Sequence, residues 1–298
     1  MAGLKASQVF FIVLILGSIS IPLLMMSYKL YVLDYSLTGL IPSVSYKVET
    51  NFELDGHGND VSVSTYLPKS DSRQIISNEL NESNNFYLTL RSDRLNRIAE
   101  WLGDNIQGRQ NIRYSYTVLG KHIKYNIPEK LGIPANYPPS FDIYLKPEPG
   151  IQVNDPLIQN ALNSIISETN PRILFALTKI HRYLQDSFEN KNFTGFTDAL
   201  TALKLGEASC NGKGRLFVAL ARKLNMPARL VGGLILKPGS KRTSHQWVEV
   251  YVNGHWVPFD TINDHFAEIP AHYMSLYYGD LVLFKHSPNI NFQYFFKI

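Results

Sequence analysis

The sequence predicts an α+β fold: an apolar N-terminal helix, a β-rich region, and then a group of helices leading into an antiparallel sheet. Three observations carry that expectation. An uncharged run from Val9 to Met26 (VFFIVLILGSISIPLLMM) opens the chain. Apolar and polar residues then alternate in short steps between about residues 43 and 126. After Pro156 the apolar period lengthens to between three and four, and strand-like runs return at Ala228.

Composition bounds the kind of protein this is. At 298 residues, with 45% hydrophobic and 18% charged side chains, the chain has ample material for a core and is not globally disordered. The net charge of +4 is spread along the chain and forms no basic stripe, so nucleic acid is not an expected partner. A single cysteine, Cys210, excludes an internal disulfide framework.

The run from Val9 to Met26 is bracketed by Lys5 and Lys29 and is just long enough to cross a bilayer as a helix. Gly17, Ser18, Ser20 and Pro22 weaken such a helix but are tolerated in lipid. A cleaved signal peptide is the competing reading, with Gly17-Ser18-Ile19-Ser20 as the cleavage region. Because Ile21 to Met26 continues the apolar run past that point, residues 9–28 are expected to be an uncleaved signal-anchor after a short flank, 1–8. The rest of the chain has no second uncharged run of that length, so it is expected to be exported.

From Ser43 to Pro68 the alternation is interrupted by Asp55-Gly56 and His57-Gly58-Asn59-Asp60, which reads as a β-hairpin. A further strand-like stretch covers Asn111 to Asn126, while Asp93 to Leu102 has helical spacing. Together these define an expected β-rich, membrane-proximal domain at 41–135. Pro138, Pro139, Pro147 and Pro149 follow, in surroundings that neither a helix nor a central strand would tolerate, and 136–155 is read as a proline-rich linker.

The remaining domain, 156–298, begins with helices. Leu157 to Ser167 and Pro171 to Phe188 have helical spacing, the second with Asn170 as cap, and a short helix from Phe196 to Leu205 stops at Gly206. Ser209 is a cap for a fourth helix from Cys210 to Leu224, with Asn225 available for the left-handed residue beyond its end. Strands are then expected over Ala228 to Lys237, Ser244 to Val252 and His255 to Asp260, the last two joined by Asn253-Gly254, a strong hairpin signal.

This order sets a thiol at a helix start against a histidine and an aspartate on neighbouring strands. Free backbone N–H groups and the positive end of the helix dipole favour thiolate at Cys210, and the same amides, near Ser209 and Asn211, are placed to receive an oxyanion. His245 is the candidate base, with Trp247 as its neighbour on the same strand face, and Asp260 is the candidate orienting acid. A two-residue turn at 253–254 places residue 260 opposite 247, so reaching His245 requires a bulge or a diagonal offset.

Four blocks of sequence resemble one family: GEASCNGKGRLFVALAR around Cys210, NMPARLVGG from Asn225, HQWVEVY from His245, and WVPFD ending at Asp260. They look like the core motifs of the bacterial transglutaminase-like superfamily. The resemblance implies a papain-like core with Cys210 as nucleophile, His245 as base and Asp260 as its partner, acting on peptide or protein amides without a cofactor or metal. The whole arrangement, including Asp264 to Tyr273, also resembles bacterial membrane proteins described as inactive transglutaminases fused to seven transmembrane helices. That implies a single-pass protein of the bacterial inner membrane with its core on the extracytoplasmic side, and a membrane-protein partner.

Two features depart from the family pattern. Gly214 stands where a small residue such as Ala or Ser is usual, and no glutamine precedes Cys210 to complete an oxyanion hole; Lys204 and Glu207 are what the sequence offers. Asp264 is an alternative to Asp260, and His255, His265 and His272 are alternative histidines, though isolated histidines are more often structural. Asp264, His265, Glu268 and His272 have no metal-ligand spacing and read as solvated loop residues. Arg229 reads as a structural ion pair or surface residue. The functions left open are a tethered thiol acyltransferase, amidase or peptidase; a catalytically inactive peptide-binding or assembly module; and a structural anchor domain.

Overall fold

The computed structural model describes residues 6–31, 44–191 and 196–298. Residues Ala6–Tyr31 form a helix, α1, with Pro22 inside it, and belong to a unit distinct from Ser43–Ile298. Among the described residues no helix is long and apolar enough to cross a membrane. The side chains of residues 9–13, 15 and 16, much of the apolar run on which the anchor expectation rests, lie outside the described residues.

The second unit opens with β1 (Val44–Leu67), β2 (Gln74–Ser83), β3 (Tyr87–Ser92), β4 (Arg97–Gly120) and the short β5 (Ile123–Lys124). Helices α2 (Pro156–Ile165) and α3 (Ile173–Asp186) follow, then β6 (Glu189–Asn190), α4 (Ala199–Leu205), β7 (Glu207–Ala208) and α5 (Cys210–Lys223). The chain continues through β8 (Ala228–Ile235), β9 (Ser240–Lys241), β10 (His245–Val252) and β11 (His255–Asp260). It ends with β12 (His265–Phe266), β13 (Glu268–Ile269), β14 (Tyr273–Tyr278), β15 (Phe284–His286) and β16 (Asn291–Lys297).

Two sheets organise these elements. The first runs β2-β4-β1-β16-β9, with β3 added to β4 and β15 to β1. The second runs β12-β11-β10-β8-β14, antiparallel throughout. Helix α5 packs on β8 and β10 and is itself covered by α2, α3 and α4. One core therefore lies between the helices and the second sheet, where Leu216, Phe217 and Leu220 of α5 meet Leu230, Val248, Val250 and Phe259. A separate core joins Phe52, Val63, Trp101 and Tyr116 of the first sheet to Leu234, Met274 and Tyr277 of the second. The second sheet is thus the middle layer of three.

Local chemistry explains the elements around the site. Asp155 caps α2 by accepting from Leu157 N at 2.8 Å, and Asp198 caps α4 by accepting from Thr201 N at 2.7 Å. Gly206, at φ +66°, closes α4, and Asn225, at φ +60°, follows α5. Asn253 and Gly254 both have positive φ, and Val252 pairs with His255 across them, the geometry of a tight hairpin turn.

Three expectations are corrected. Residues 43–68 are not a hairpin: β1 is one strand paired with β4 from Val44↔Gly120 to Leu67↔Arg97. The polar glycine-rich run is absorbed as irregularities between His57, Asn59 and Val61, with Gly58 at φ +85°, so the strand bends without reversing. Residues 93–102 are not helical either. Asp93 Oδ1 accepts from Leu95 N and Asn96 N in a turn, and from Arg97 onward Ala99, Trp101 and Gly103 are buried in alternation on β4. Helix α3 begins at Ile173 with Arg172 as its cap residue, later than the expected Asn170.

The proline-rich stretch 136–155 packs against the core. Its 3-10 helix, Pro139–Tyr144, sets Phe141 on Tyr251 (ring centroids 4.3 Å apart) and Tyr144 on Trp256 (4.8 Å). The last strand, β16, pairs with β1 of the first sheet, so residues at the C-terminal end of 156–298 complete the sheet begun at residue 44.

Candidate active site

Cys210 is the first residue of α5 and is half-buried. Ser209, its cap residue, makes no side-chain capping bond, so the amides of the first turn are not claimed by its hydroxyl. Asn211 is turned toward the thiol, its Oδ1 3.4 Å from Cys210 Sγ. Gly212 and Gly214 are required by packing. A Cβ on Gly212 would lie 2.8 Å from Ala208 Cβ, and one on Gly214 would lie 2.8 Å from Leu230 Cδ2. Gly214 lets α5 press on β8 and β10, the strand that carries the histidine, while Gly212 lets its first turn approach Ala208 and Thr197.

His245 opens β10, and Asp260 ends β11. Pairing of the two strands stops at Val248↔Phe259, after which Asp260 pairs with His265 of β12. Freed from the position opposite Trp247, the Asp260 side chain reaches diagonally, and His245 Nε2 lies 2.7 Å from its Oδ2. The carboxylate is 3% exposed and fully engaged. Its Oδ2 also accepts from Tyr273 Oη at 2.8 Å and Asn263 Nδ2 at 2.9 Å, and its Oδ1 accepts from Ile262 N at 2.9 Å and Asn263 N at 3.3 Å.

Electrostatics follow from this geometry. Burial alone would lower the His245 imidazole, but the hydrogen bond to Asp260 and the adjacent Cys210 thiol outweigh it and push the ring up to about 9. For Asp260 burial acts upward, and the His245, Asn263 and Ile262 donors overcome it and hold the carboxyl well below the usual range. The imidazole is walled by Trp247, stacked at 6.2 Å, and by Tyr273, edge-on at 5.8 Å.

The other candidates lie elsewhere. Asp264 makes none of these contacts. His255 lies tilted beside Tyr125 at 5.8 Å, while His265 and His272 lie against the Tyr273 ring. Lys204 lies in the last turn of α4, and Glu207 pairs with Lys191. Among the described residues no cluster of His, Cys, Asp and Glu is arranged to hold a metal. Arg229 is a buried ion-pair residue, its Nε and Nη2 2.9 and 2.7 Å from Glu249 Oε2, and its guanidinium lies between the Trp256 and Tyr278 rings.

Sequence reasoning did not find Tyr273, Asn263 or His181. Tyr273 reads as one more aromatic in a strand, and Asn263 as a turn residue. His181, buried on α3, meets the Phe266 ring edge-on at 5.4 Å and is pushed down chiefly by burial, with the Asp264 and Asp260 charges opposing. Only the three-dimensional return of the chain puts them around Asp260.

A helix that presents a cysteine to a strand pair carrying histidine and aspartate defines a class, and the comparisons agree with it. Residues 160–261 match the profile of the transglutaminase-like superfamily. More particularly, residues 28–167 match the profile described as inactive transglutaminase fused to 7 transmembrane helices. A candidate cysteine protease from Cytophaga hutchinsonii has a similar structure: TM-score 0.67 at 16% identity, over 84% of this chain and 88% of that one. That likeness is one of fold. The periplasmic domain of TgpA from Pseudomonas aeruginosa aligns over 75% of this chain and 91% of its own, at 12% identity and a TM-score of 0.31. No curated protein matches the sequence.

Proposed function

We propose that this protein is a membrane-anchored thiol acyltransferase, amidase or peptidase that acts on peptide or protein amides at the cell envelope. The observation that carries the reading is the 2.7 Å contact between His245 Nε2 and Asp260 Oδ2, which leaves Nδ1 as the ring nitrogen for the Cys210 thiol. The sulfur, as thiolate, attacks the substrate carbonyl carbon while the imidazolium holds the proton. Backbone amides at the start of α5, beside Ser209 and Asn211, receive the developing oxyanion. As the C–N bond breaks, the imidazolium gives its proton to the departing amine, leaving a thioester on Cys210. An incoming amine or water then loses a proton to His245 and attacks the thioester; the C–S bond breaks and Cys210 leaves as thiolate beside the imidazolium, restoring the starting pair. Asp260 keeps the ring in one tautomer throughout, and Trp247 limits its tilt.

The anchor is residues 9–28, with the core on the extracytoplasmic face of the inner membrane. Its support is the uncharged run and a 26-residue helix, about 39 Å long at ~1.5 Å per residue, against a hydrocarbon core of about 30 Å.

A second reading has its own support, since the family description matched by residues 28–167 is of inactive proteins. In that reading the core is a peptide-binding or assembly module for membrane partners. Parallel assays of amine incorporation and peptide hydrolysis, run on wild type and Cys210→Ala, decide between them. Loss of either activity in the variant supports acyl transfer. Equal signals in the two proteins, together with retained peptide binding, support the module.

A further inference from the structure

Asp260 Oδ2 is shared by three donors from three different places in the chain: His245 on β10, Asn263 in the turn after β11, and Tyr273 at the start of β14. Oδ1, by contrast, is held by the amides of Ile262 and Asn263. Those two amides and the Asn263 side chain fix the carboxylate in place without help from Tyr273. The Tyr273 hydroxyl therefore changes how much of the Oδ2 charge is left for the imidazole.

The ring of Tyr273 has a second task. It meets the His245 ring edge-on at 82° and the Trp247 ring at 72°, closing the pocket in which the imidazole sits. On its other sides it faces His265 at 5.4 Å and His272 at 5.2 Å, and its hydroxyl lies beside the Asn263 carboxamide. Burial followed by Asp260 pushes the phenol upward, so at neutral pH it keeps its proton and donates it to Asp260 Oδ2.

We propose that Tyr273 is a positioning residue for the His245–Asp260 pair, its hydroxyl drawing charge from Asp260 Oδ2 and its ring fixing the plane of the imidazole. The effect on turnover rests on the acyl-transfer reading above; the effect on His245 does not.

The test is an NMR titration of His245 in the full chain, carrying 13Cε1-histidine in detergent micelles, with Tyr273→Phe, Tyr273→Leu and Asp260→Asn compared to wild type. Tyr273→Phe keeps the ring and removes the hydroxyl, so the His245 midpoint is expected to rise by roughly half to one pH unit as Oδ2 becomes a stronger acceptor. Asp260→Asn is expected to lower it. Tyr273→Leu, which also loses the wall, is expected to lower kcat for the Cys210-dependent reaction about tenfold with KM within about twofold. A Tyr273→Phe midpoint within about 0.2 units of wild type, with Asp260→Asn shifted, would overturn the proposal and leave the tyrosine as packing. An unshifted Asp260→Asn would overturn both this proposal and the triad. A Tyr273→Phe shift in a protein with no Cys210-dependent turnover would uphold the positioning role and sink the acyl-transfer reading.

Discussion

Arg73, in the turn before β2, donates through Nη1 to Glu249 Oε1, four residues beyond His245 on β10. Arg229 of β8 takes the other oxygen of the same carboxylate, and Glu249 is wholly buried. The bond between Arg73 and Glu249 ties the first sheet to the strand that carries the histidine. Burial pushes Glu249 upward and the two guanidinium groups pull it down further, so it stays ionised.

Removing that charge strands two buried cations. Glu249→Gln is expected to lower unfolding free energy by about 3–5 kcal/mol, read from urea denaturation, because a buried pair broken on one side leaves its partners uncompensated. Replacing Glu249, Arg73 and Arg229 together with apolar residues of similar size is expected to cost less than the single change.

Asp260→Asn keeps the shape of the carboxylate and removes its charge. Turnover through Cys210 is expected to fall by about 10²–10⁴ in kcat, with the fold intact by circular dichroism. Iodoacetamide labelling at neutral pH, followed by mass spectrometry of the Cys210 peptide, is expected to slow in the same variant, because less imidazolium remains to pair with thiolate.

Stability depends on pH through the same pair. His245 is raised in the fold, so its contribution is fully present below the unfolded imidazole value of ~6.5 and is lost as pH rises through about 9. Asp260 is depressed, so its contribution is present above ~3.9 and is lost as pH falls toward its folded value. Melting temperature measured from pH 6 to 10 is expected to decline more steeply in wild type than in His245→Ala. A parallel decline in the two proteins would assign the effect to other groups.

Gly232 lies beneath Tyr277: a Cβ there would stand 2.0 Å from Tyr277 Cζ. Gly232→Ala is expected to destabilise by about 1–3 kcal/mol, since a residue buried between two sheets has nowhere to retreat. Adding Tyr277→Ala is expected to recover part of that loss relative to Tyr277→Ala alone, measured as a double-mutant cycle in denaturant.

The parts of this molecule legible in its sequence are those set by local chemistry. An asparagine after α5 and Asn253-Gly254 between two strands each specify their own geometry, whereas Ser209 holds the cap position before Cys210 without a capping bond from its side chain. The parts that were not legible depend on distant partners. Residues 93–102 carry helical spacing, yet β1 supplies a partner for every residue of β4 from Arg97 to Leu102. Asn96 is fixed by both backbone groups of Tyr278, 182 positions away. Tyr273 and Asn263 converge on Asp260 for the same reason: their roles arise from where the chain returns, and neither residue type announces it.

The pairing of β16 with β1 has a consequence for how the protein is made. Glu49 waits for Lys297, and Phe52 for Tyr294, so β1 lacks its β16 partner until residues 291–297 have been synthesised. Contacts of such long sequence separation are slow to form. If the chain is exported through a channel in extended form, β1 and β4 must wait on the far side as a half-covered pair. A chaperone that shields an unpaired strand edge during that interval would govern the yield of folded protein more than the stability of the finished sheet does.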